Sequence, residues 1–417
     1  MSSSFESISC AVGQRSMGDA SKLFPLLPVL LKGCPASSDD AMQYPLEIDY
    51  DYSRIPRSLF DQAPLAGLDR WAPILPPLAP GISLGEGGTP LIEAPRIAQA
   101  IGLKAPLLLK DESRNPTWSH KDRLNLCTVS AAIAAGARGI AAASSGNHGA
   151  AAAAYAARMG LPCVIVTSRG GQPAFRSLLD ALGAHQVVVE RERRWPVLQR
   201  IIDHTGFFPV SNLTRYHTGN PYGPEGYKTI AYEIFLQMGR ALPGAVVVPT
   251  GYGELLYGLA KGFWELQHLG ITDRVPRILS AEPQARGPLA RALKSNAAAM
   301  EVEAKPTIAS GIGCTVSSFR GVQAIRNSLG NALTCSDASL RAMRDLLSRQ
   351  GIFQEYSGVA GLAALQESLA RGEPIEGPVV AILTSSGLKD IAASEDGISF
   401  TDESNLDALL EKLGPAR

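Results

Sequence analysis

Lys121 stands in "NPTWSHKDRL", one residue after His120 and just before an Asp-Arg pair, where a loop turns into an amphipathic helix. An amine in a first helical turn has the wrong sign for the macrodipole, which favours anions there. Repulsion of the ammonium favours the neutral amine, the form that makes Schiff bases with carbonyl compounds. An ordinary surface lysine fits the same local pattern, with Asn115, Pro116 and Thr117 as turn residues and Ser119 as the helix N-cap.

Three other stretches carry residues that could join such an amine. "AAASSGNHGAAAAAYAA" ends an apolar run in Ser144, Ser145, Gly146 and Asn147, then opens a helix with His148 in its first turn. The free N–H groups of that turn suit a carboxylate or phosphate, although a well-capped, alanine-packed helix reads the same way. "VVVPTGYGELLYG" puts Gly251 and Gly253 between a strand and a helix, so backbone can approach a phosphate. Gly258 comes too late for the G-x-G-x-x-G dinucleotide fingerprint, and tight strand-to-helix packing explains the loop equally. "VVAILTSSGLKD" delivers Thr384, Ser385 and Ser386, neutral hydroxyls that can bond an unprotonated heterocyclic nitrogen or simply form a turn.

The elements that must position these loops are legible from about Pro106 onward. Short apolar runs ("APLLLK", "GIAAAS", "PCVIVTS", "HQVVVE", "AVVVPT", "RILSAEP", "VVAILTSSG") alternate with helical stretches. That alternation indicates an α/β fold with parallel sheets covered on both faces, whose ligands bind at the carboxyl ends of strands. The first eighty or so residues are Pro-rich with weak periodicity and read as an irregular arm or cap with a disordered extreme N-terminus.

With 417 residues the chain is long enough for two domains. A formal net charge of zero offers no basic footprint for nucleic acid. "LFPLLPVLLKG" is too short and proline-broken to span a bilayer and reads as a packing element. Six cysteines, Cys10, Cys34, Cys127, Cys163, Cys314 and Cys335, are spread singly with no zinc-like spacing, so no metal and a reduced, cytoplasmic compartment are expected.

Taken together, the lysine loop, the Ser/Asn loop, the glycine loop and the C-terminal hydroxyls resemble the pyridoxal-phosphate enzymes of the tryptophan-synthase-β type, fold type II. Within them the resemblance is to the threonine synthase family: "SLGEGGTPLIEAP", "NPTWSHKDR", "VVVPTGYGELLYG", "EGYKTIAYEI" and "LTSSGLKD" look like its signatures, between roughly Pro45 and Asp390. The resemblance implies an arm over 1–84, a large cofactor domain over 85–120 and 216–417, and a small inserted domain over 121–215.

It also implies that Lys121 holds pyridoxal 5'-phosphate covalently and moves protons at Cα. Asn147 would bond the cofactor's phenolic oxygen, Gly251, Tyr252, Gly253, Glu254 and Leu255 would wrap its phosphate, and Thr384 would face its ring nitrogen. Thr117, Ser144, Ser145, Gly146 and His148 would line the substrate side. The expected activity is β- or γ-elimination or replacement on a small, O-phosphorylated or otherwise O-activated amino acid by a homodimer. Threonine synthase proper, a threonine or serine ammonia-lyase and a catalytically silent ligand-binding paralogue are the alternatives.

Three departures bear on the substrate. His120 replaces the Phe common before the lysine, and His148 replaces the Thr that follows the asparagine in many threonine synthases, so that S-S-G-N-H is closer to the threonine dehydratase and serine racemase pattern. In "NPYGPEGYKT", Gly223 stands where the family pattern N-P-Y-R-x-E-G-x-K-T has an arginine that helps to bind the phosphate of phosphohomoserine. Its loss costs a charge-assisted contact unless Arg215 or His217 compensates.

Overall fold

The arm expected to be irregular builds a sheet. In the computed structural model, which describes residues 8–61 and 65–391, β1 (Ala11–Ser16) pairs antiparallel with β2 (Leu23–Phe24) and with β3 (Leu46–Tyr50). Leu46, Ile48 and Tyr50 of β3 point inward at every second position, the period of a half-buried strand. The apolar segment after β2 is tied down by a polar group. Buried Gln14 donates to the carbonyls of Pro25, Leu26 and Pro28 at 2.7, 3.2 and 2.9 Å and accepts from Leu30 N–H at 3.0 Å. Prolines leave that segment short of ladder donors, so a side chain takes over the pairing. The extreme N-terminus expected to be disordered lies outside the described residues.

The main body holds two further sheets. β4 (Leu91–Glu93), α1 (Pro95–Ala100), β5 (Leu107–Asp111) and α2 (Lys121–Ala134) come first. Next come β6 (Ile140–Ala143), α3 (Asn147–Arg158), β7 (Cys163–Ser168), α4 (Pro173–Ala181), β8 (His185–Val189), α5 (Arg194–Thr205) and β9 (Phe208–Pro209). These four strands form a parallel sheet in the order β8-β7-β6-β9.

The chain then returns through α6 (Gly223–Gln237), β10 (Ala245–Pro249), α7 (Glu254–His268), β11 (Arg277–Pro283) and α8 (Pro288–Lys294). It finishes with α9 (Phe319–Asn327), β12 (Asn331–Cys335), α10 (Asp337–Ser348), α11 (Ala360–Ala370) and β13 (Val379–Leu383). The larger sheet has the order β12-β11-β10-β13-β5-β4 and is parallel except at its β4 edge. All five residues of β10 and of β13 are buried, as expected for central strands covered on both faces.

Side chains from "EGYKT" in α6 show how tightly the layers are locked. A Cβ on Gly226 would meet the carbonyl oxygen of Arg123 at 1.9 Å, so only glycine lets α6 cross α2 there. Glu225 and Lys228 enter one buried ion cluster, pairing with each other at 2.8 Å, with Lys261 at 2.7 Å and with Glu265 at 2.9 Å, with the Tyr50 phenol on Glu225 at 2.8 Å. Thr229 accepts from Arg123, the centre of a second cluster in which Arg123 grips Glu112 at 2.7 Å and Glu233 at 2.6 Å, while Lys110 holds Glu233 at 2.7 Å. Glycine and charge therefore fix α2 against α6, and α2 begins with Lys121.

Candidate active site

The carboxyl ends of β6, β10 and β13, with the start of α2, surround one cavity of about 1050 Å³. Lys121, Ser144, Ser145, Gly146, Asn147, His148, Gly251, Tyr252, Gly253, Glu254, Leu255 and Thr384 all line it, together with His120. Thr117 is not among the lining residues. Its hydroxyl and N–H are both spent on the buried Asp122 carboxylate, at 2.9 and 3.0 Å, so it braces the start of α2.

That start is not capped by Ser119 as the turn chemistry suggested. His120 occupies the cap position without a side-chain cap bond, and the Ser119 hydroxyl has no hydrogen-bond partner among the described residues. Ser119 instead forms an antiparallel bridge with Ser385. The N–H of His120 donates to the Thr384 carbonyl at 3.0 Å, that of Ser386 donates to the Trp118 carbonyl at 3.1 Å, and the His120 ring lies 3.1 Å from the same Thr384 oxygen. The strand-like pairing takes Ser119 out of the geometry in which a side chain can reach N2 or N3.

Lys121 reaches into the cavity and donates to the phenol of Tyr227, from α6, at 2.9 Å. Burial lowers its affinity for a proton below that of ordinary lysine, against the opposing pull of Glu254. Burial likewise holds His148 and His217 down at about 4 and His120 well below the ordinary imidazole range, with Lys121 adding repulsion at His148 and at His120. The imidazoles are therefore neutral at pH 7, and the packed, neutral state is the one adopted by His120. Cys314 is pushed up to about 12 by burial and stays a thiol.

At the glycine loop, Gly253 adopts φ +88°, and a Cβ there would meet Gly321 backbone at 3.0 Å. A Cβ on Gly251 would meet the Cys314 sulfur at 3.1 Å. Among the described residues no backbone acceptor serves the N–H groups from Gly251 to Leu255, which open at the N-terminus of α7. This is a cradle for an oxyanion. Glu254 puts an acid in the same turn, but its carboxylate is turned towards Gly219 and His217, away from the loop's backbone. His217 stacks on Tyr252 with ring centres 4.1 Å apart.

Opposite, Asn147 is fixed from three sides. Its amide donates to Glu355 at 3.0 Å, and its oxygen accepts from Ser385 at 3.1 Å and from Lys389. Burial raises Glu355 to about 7 and lowers Lys389 to about 8. Tyr227, Glu355, Lys389 and Cys314 went unnoticed in the sequence, where only their proximity to motif residues in "EGYKT" and "GLKD" marked two of them.

Gly223 and Arg215 do not lie where an anion clamp would need them. Gly223 is buried against α2, and a Cβ there would meet Leu124 at 3.0 Å. Arg215 is exposed and pairs with Glu301 at 2.9 Å. Of the two compensating residues considered, His217 alone faces the cavity.

A buried amine at a helix start, a cradle suited to an oxyanion lining the same cavity and a neutral hydroxyl beside it could together hold a carbonyl cofactor that carries a phosphate. Residues 82–385 match the family model described as pyridoxal-phosphate dependent enzyme, and the chain belongs to that family. It is 32% identical over 382 residues to threonine synthase of Methanosarcina acetivorans, covering 88% of this chain and 92% of that one. Against threonine synthase of Mycobacterium tuberculosis it is 32% identical over 355 residues, covering 84% and 93%. A solved threonine deaminase, from T.th., superposes with a TM-score of 0.59 at 27% identity, over 72% of this chain and 92% of that one. Maize serine racemase shares the fold, with a TM-score of 0.61 at 21% identity over 78% and 92%. The protein is a threonine-synthase-like, pyridoxal-phosphate-dependent lyase.

Proposed function

We propose that the cavity binds a small amino acid and removes or exchanges a substituent at its Cβ or Cγ. The single observation that carries this reading is the buried Lys121 amine, held at 2.9 Å by Tyr227 in the cavity that the glycine cradle also lines. When bound, pyridoxal phosphate supplies the electron sink for charge developing at Cα. Lys121 would hold it covalently until the substrate's own amine takes that place, and the freed amine, which burial keeps towards its neutral form, would take and return the Cα proton.

In this reading Gly251, Tyr252, Gly253, Glu254 and Leu255 hold the cofactor's phosphate through backbone N–H groups, and Asn147 holds its phenolic oxygen. Thr384 offers a hydroxyl, not an acid, to the ring nitrogen. That choice favours elimination and replacement over transamination. Ser144, Ser145, Gly146 and His148 bind the substrate carboxylate at the start of α3, where the helix dipole favours anions. Thr117 acts on the substrate only through the position of α2.

Threonine synthase proper, converting O-phosphohomoserine to threonine and phosphate, is the second reading, favoured by the names of the relatives at 32% identity. We also infer a large domain over 85–120 and 216–417 with 121–215 as the smaller insert, and a cytoplasmic homodimer. Exposed Val12 and Leu23 on the N-terminal sheet, with Leu27 just after it, support assembly. Sedimentation of the purified protein reads the oligomeric state directly.

The test of the main reading is spectroscopic. Purified protein should show the visible band of bound cofactor, and Lys121→Ala should lose it while keeping wild-type circular dichroism. A wild type colourless after added pyridoxal phosphate would sink the enzyme reading. Phosphate release from O-phosphohomoserine, against 2-oxo acid release from serine or threonine, then separates the two readings and the ammonia-lyase alternative.

A further inference from the structure

Three guanidinium groups that form no ion pair with a carboxylate among the described residues converge on the wall of the cavity. Arg191 opens the short turn that leads into α5, Arg194 begins α5, and Arg286 lies on the loop after β11; all three line the cavity. Arg191 donates to the Gly313 carbonyl at 3.4 Å, and Arg286 donates to the same oxygen while its Nε holds the Lys305 carbonyl at 2.7 Å. Arg194 rests on the carbonyl of Arg191 at 3.2 Å. Backbone dipoles orient these cations but do not neutralise them.

Two acids, Glu190 and Glu192, line the same wall: Glu190 pairs at the surface with Arg169 at 2.9 Å, and exposed Glu192 attracts Arg194, so the arginines of this wall outnumber its acids. Burial first, and then the charge of Arg191, holds both Arg194 and Arg286 below ordinary arginine. Buried Arg123, by contrast, is paired with Glu112 and Glu233, whereas buried Arg320 also rests on backbone carbonyls, those of Thr218 and Leu46, but does not line the cavity. Planar forks gathered at a cavity match the bidentate geometry of an oxyanion.

We propose that Arg191, Arg194 and Arg286 form an oxyanion subsite that holds a doubly charged group on the distal end of the amino-acid substrate. The proposal rests on reading the cavity as the amino-acid site. It places the anion contact near Tyr252 and Cys314, which act on both Arg194 and Arg286, and not at Gly223, where a side chain would run into Leu124. Elements from both sheets contribute to it, and Arg191 and Arg286 meet at the Gly313 carbonyl.

The test uses the holoenzyme, with Arg191→Ala/Arg194→Ala and, separately, the charge-conserving Arg286→Lys. Calorimetry reads the affinities of O-phospho-L-serine, L-serine and inorganic sulfate, and the visible band reads cofactor retention. O-phospho-L-serine should bind wild type more tightly than L-serine, and the double variant should lose about tenfold or more for the former while L-serine is unchanged. Arg286→Lys should lose a smaller part of the same preference, since a point charge cannot reproduce the fork.

Equal losses for both amino acids, or none, would overturn the proposal. So would weakened retention of pyridoxal phosphate with the amino-acid preference intact, because the arginines would then serve the cofactor. Sulfate binding without any preference for O-phospho-L-serine over L-serine would mark a free oxyanion as the ligand and reject the substrate assignment. A wild type that never takes up cofactor would fail the functional reading instead, and loss of sulfate binding in the double variant would still support the anion subsite.

Discussion

The Lys121 amine donates to the Tyr227 phenol at 2.9 Å, joining the first residue of α2 to the buried face of α6. Burial keeps the Tyr227 phenol protonated far above the ordinary tyrosine range, so it can also donate to Lys121 once the amine is neutral. Tyr227→Phe should retain the visible band but lower turnover by about tenfold to a hundredfold, the share expected of a lost group that orients a general base. Steady-state rates alongside the spectrum check this. A variant that loses the band would show that Tyr227 is needed to keep the cofactor, not to aim the amine.

The Arg123 cluster is buried without solvent contact, and its energetics are asymmetric. Removing one partner strands a charge, so Glu233→Gln should destabilise by about 3–5 kcal/mol. Chemical denaturation of wild type and variant reads the difference. A loss under about 1 kcal/mol would mean that Glu112 alone suffices to compensate Arg123.

Restoring the arginine of the family pattern at Gly223 should not restore its role. The side chain would start 3.0 Å from Leu124 and 3.4 Å from Thr128, so Gly223→Arg overpacks the α2–α6 contact and should cost about 1–3 kcal/mol. Phosphate release from O-phosphohomoserine should not rise. An increase in that rate would show that α6 can turn its first residue into the cavity.

Glu355 and Lys389 face Asn147 from opposite sides, and burial works against the charge of each. Glu355 takes up a proton below about pH 7 and Lys389 loses one above about pH 8, so both are charged only between those values. Turnover should peak in that interval and fall on either side. Lys389→Met should remove the alkaline fall and leave the acid one, as read from initial rates across pH. An alkaline limb that survives the substitution belongs to another group, with Lys121 the first to test.

The four loops that line the cavity were legible because each interrupts a periodic pattern with glycine, serine or asparagine at the end of an apolar run. Tyr227 was not, because α6 is buried on every side from Gly223 to Phe235 and its sequence has no distinguishable face. Ser119 misled for a related reason. A serine before a helix suggests a cap, but the residue is recruited to a bridge by Ser385, far away in the chain. The N-terminal sheet was missed because its strands are two to six residues long and separated by prolines, and Gln14, not a ladder, holds the segment that follows. Charge pairs across helices, such as Arg123 with Glu233, leave no local spacing to read.

The bridge between Ser119 and Ser385 has a consequence for biosynthesis. His120 meets the Thr384 carbonyl across 264 residues of chain, so Lys121 acquires its final setting only after β13 has been made. A nascent chain can complete the sheet built from β6 to β9 long before that, with Lys121 already at its helix start but not yet aimed. Premature uptake of a reactive aldehyde on the ribosome is thereby disfavoured, and a product truncated before β13 should fold in part yet remain colourless.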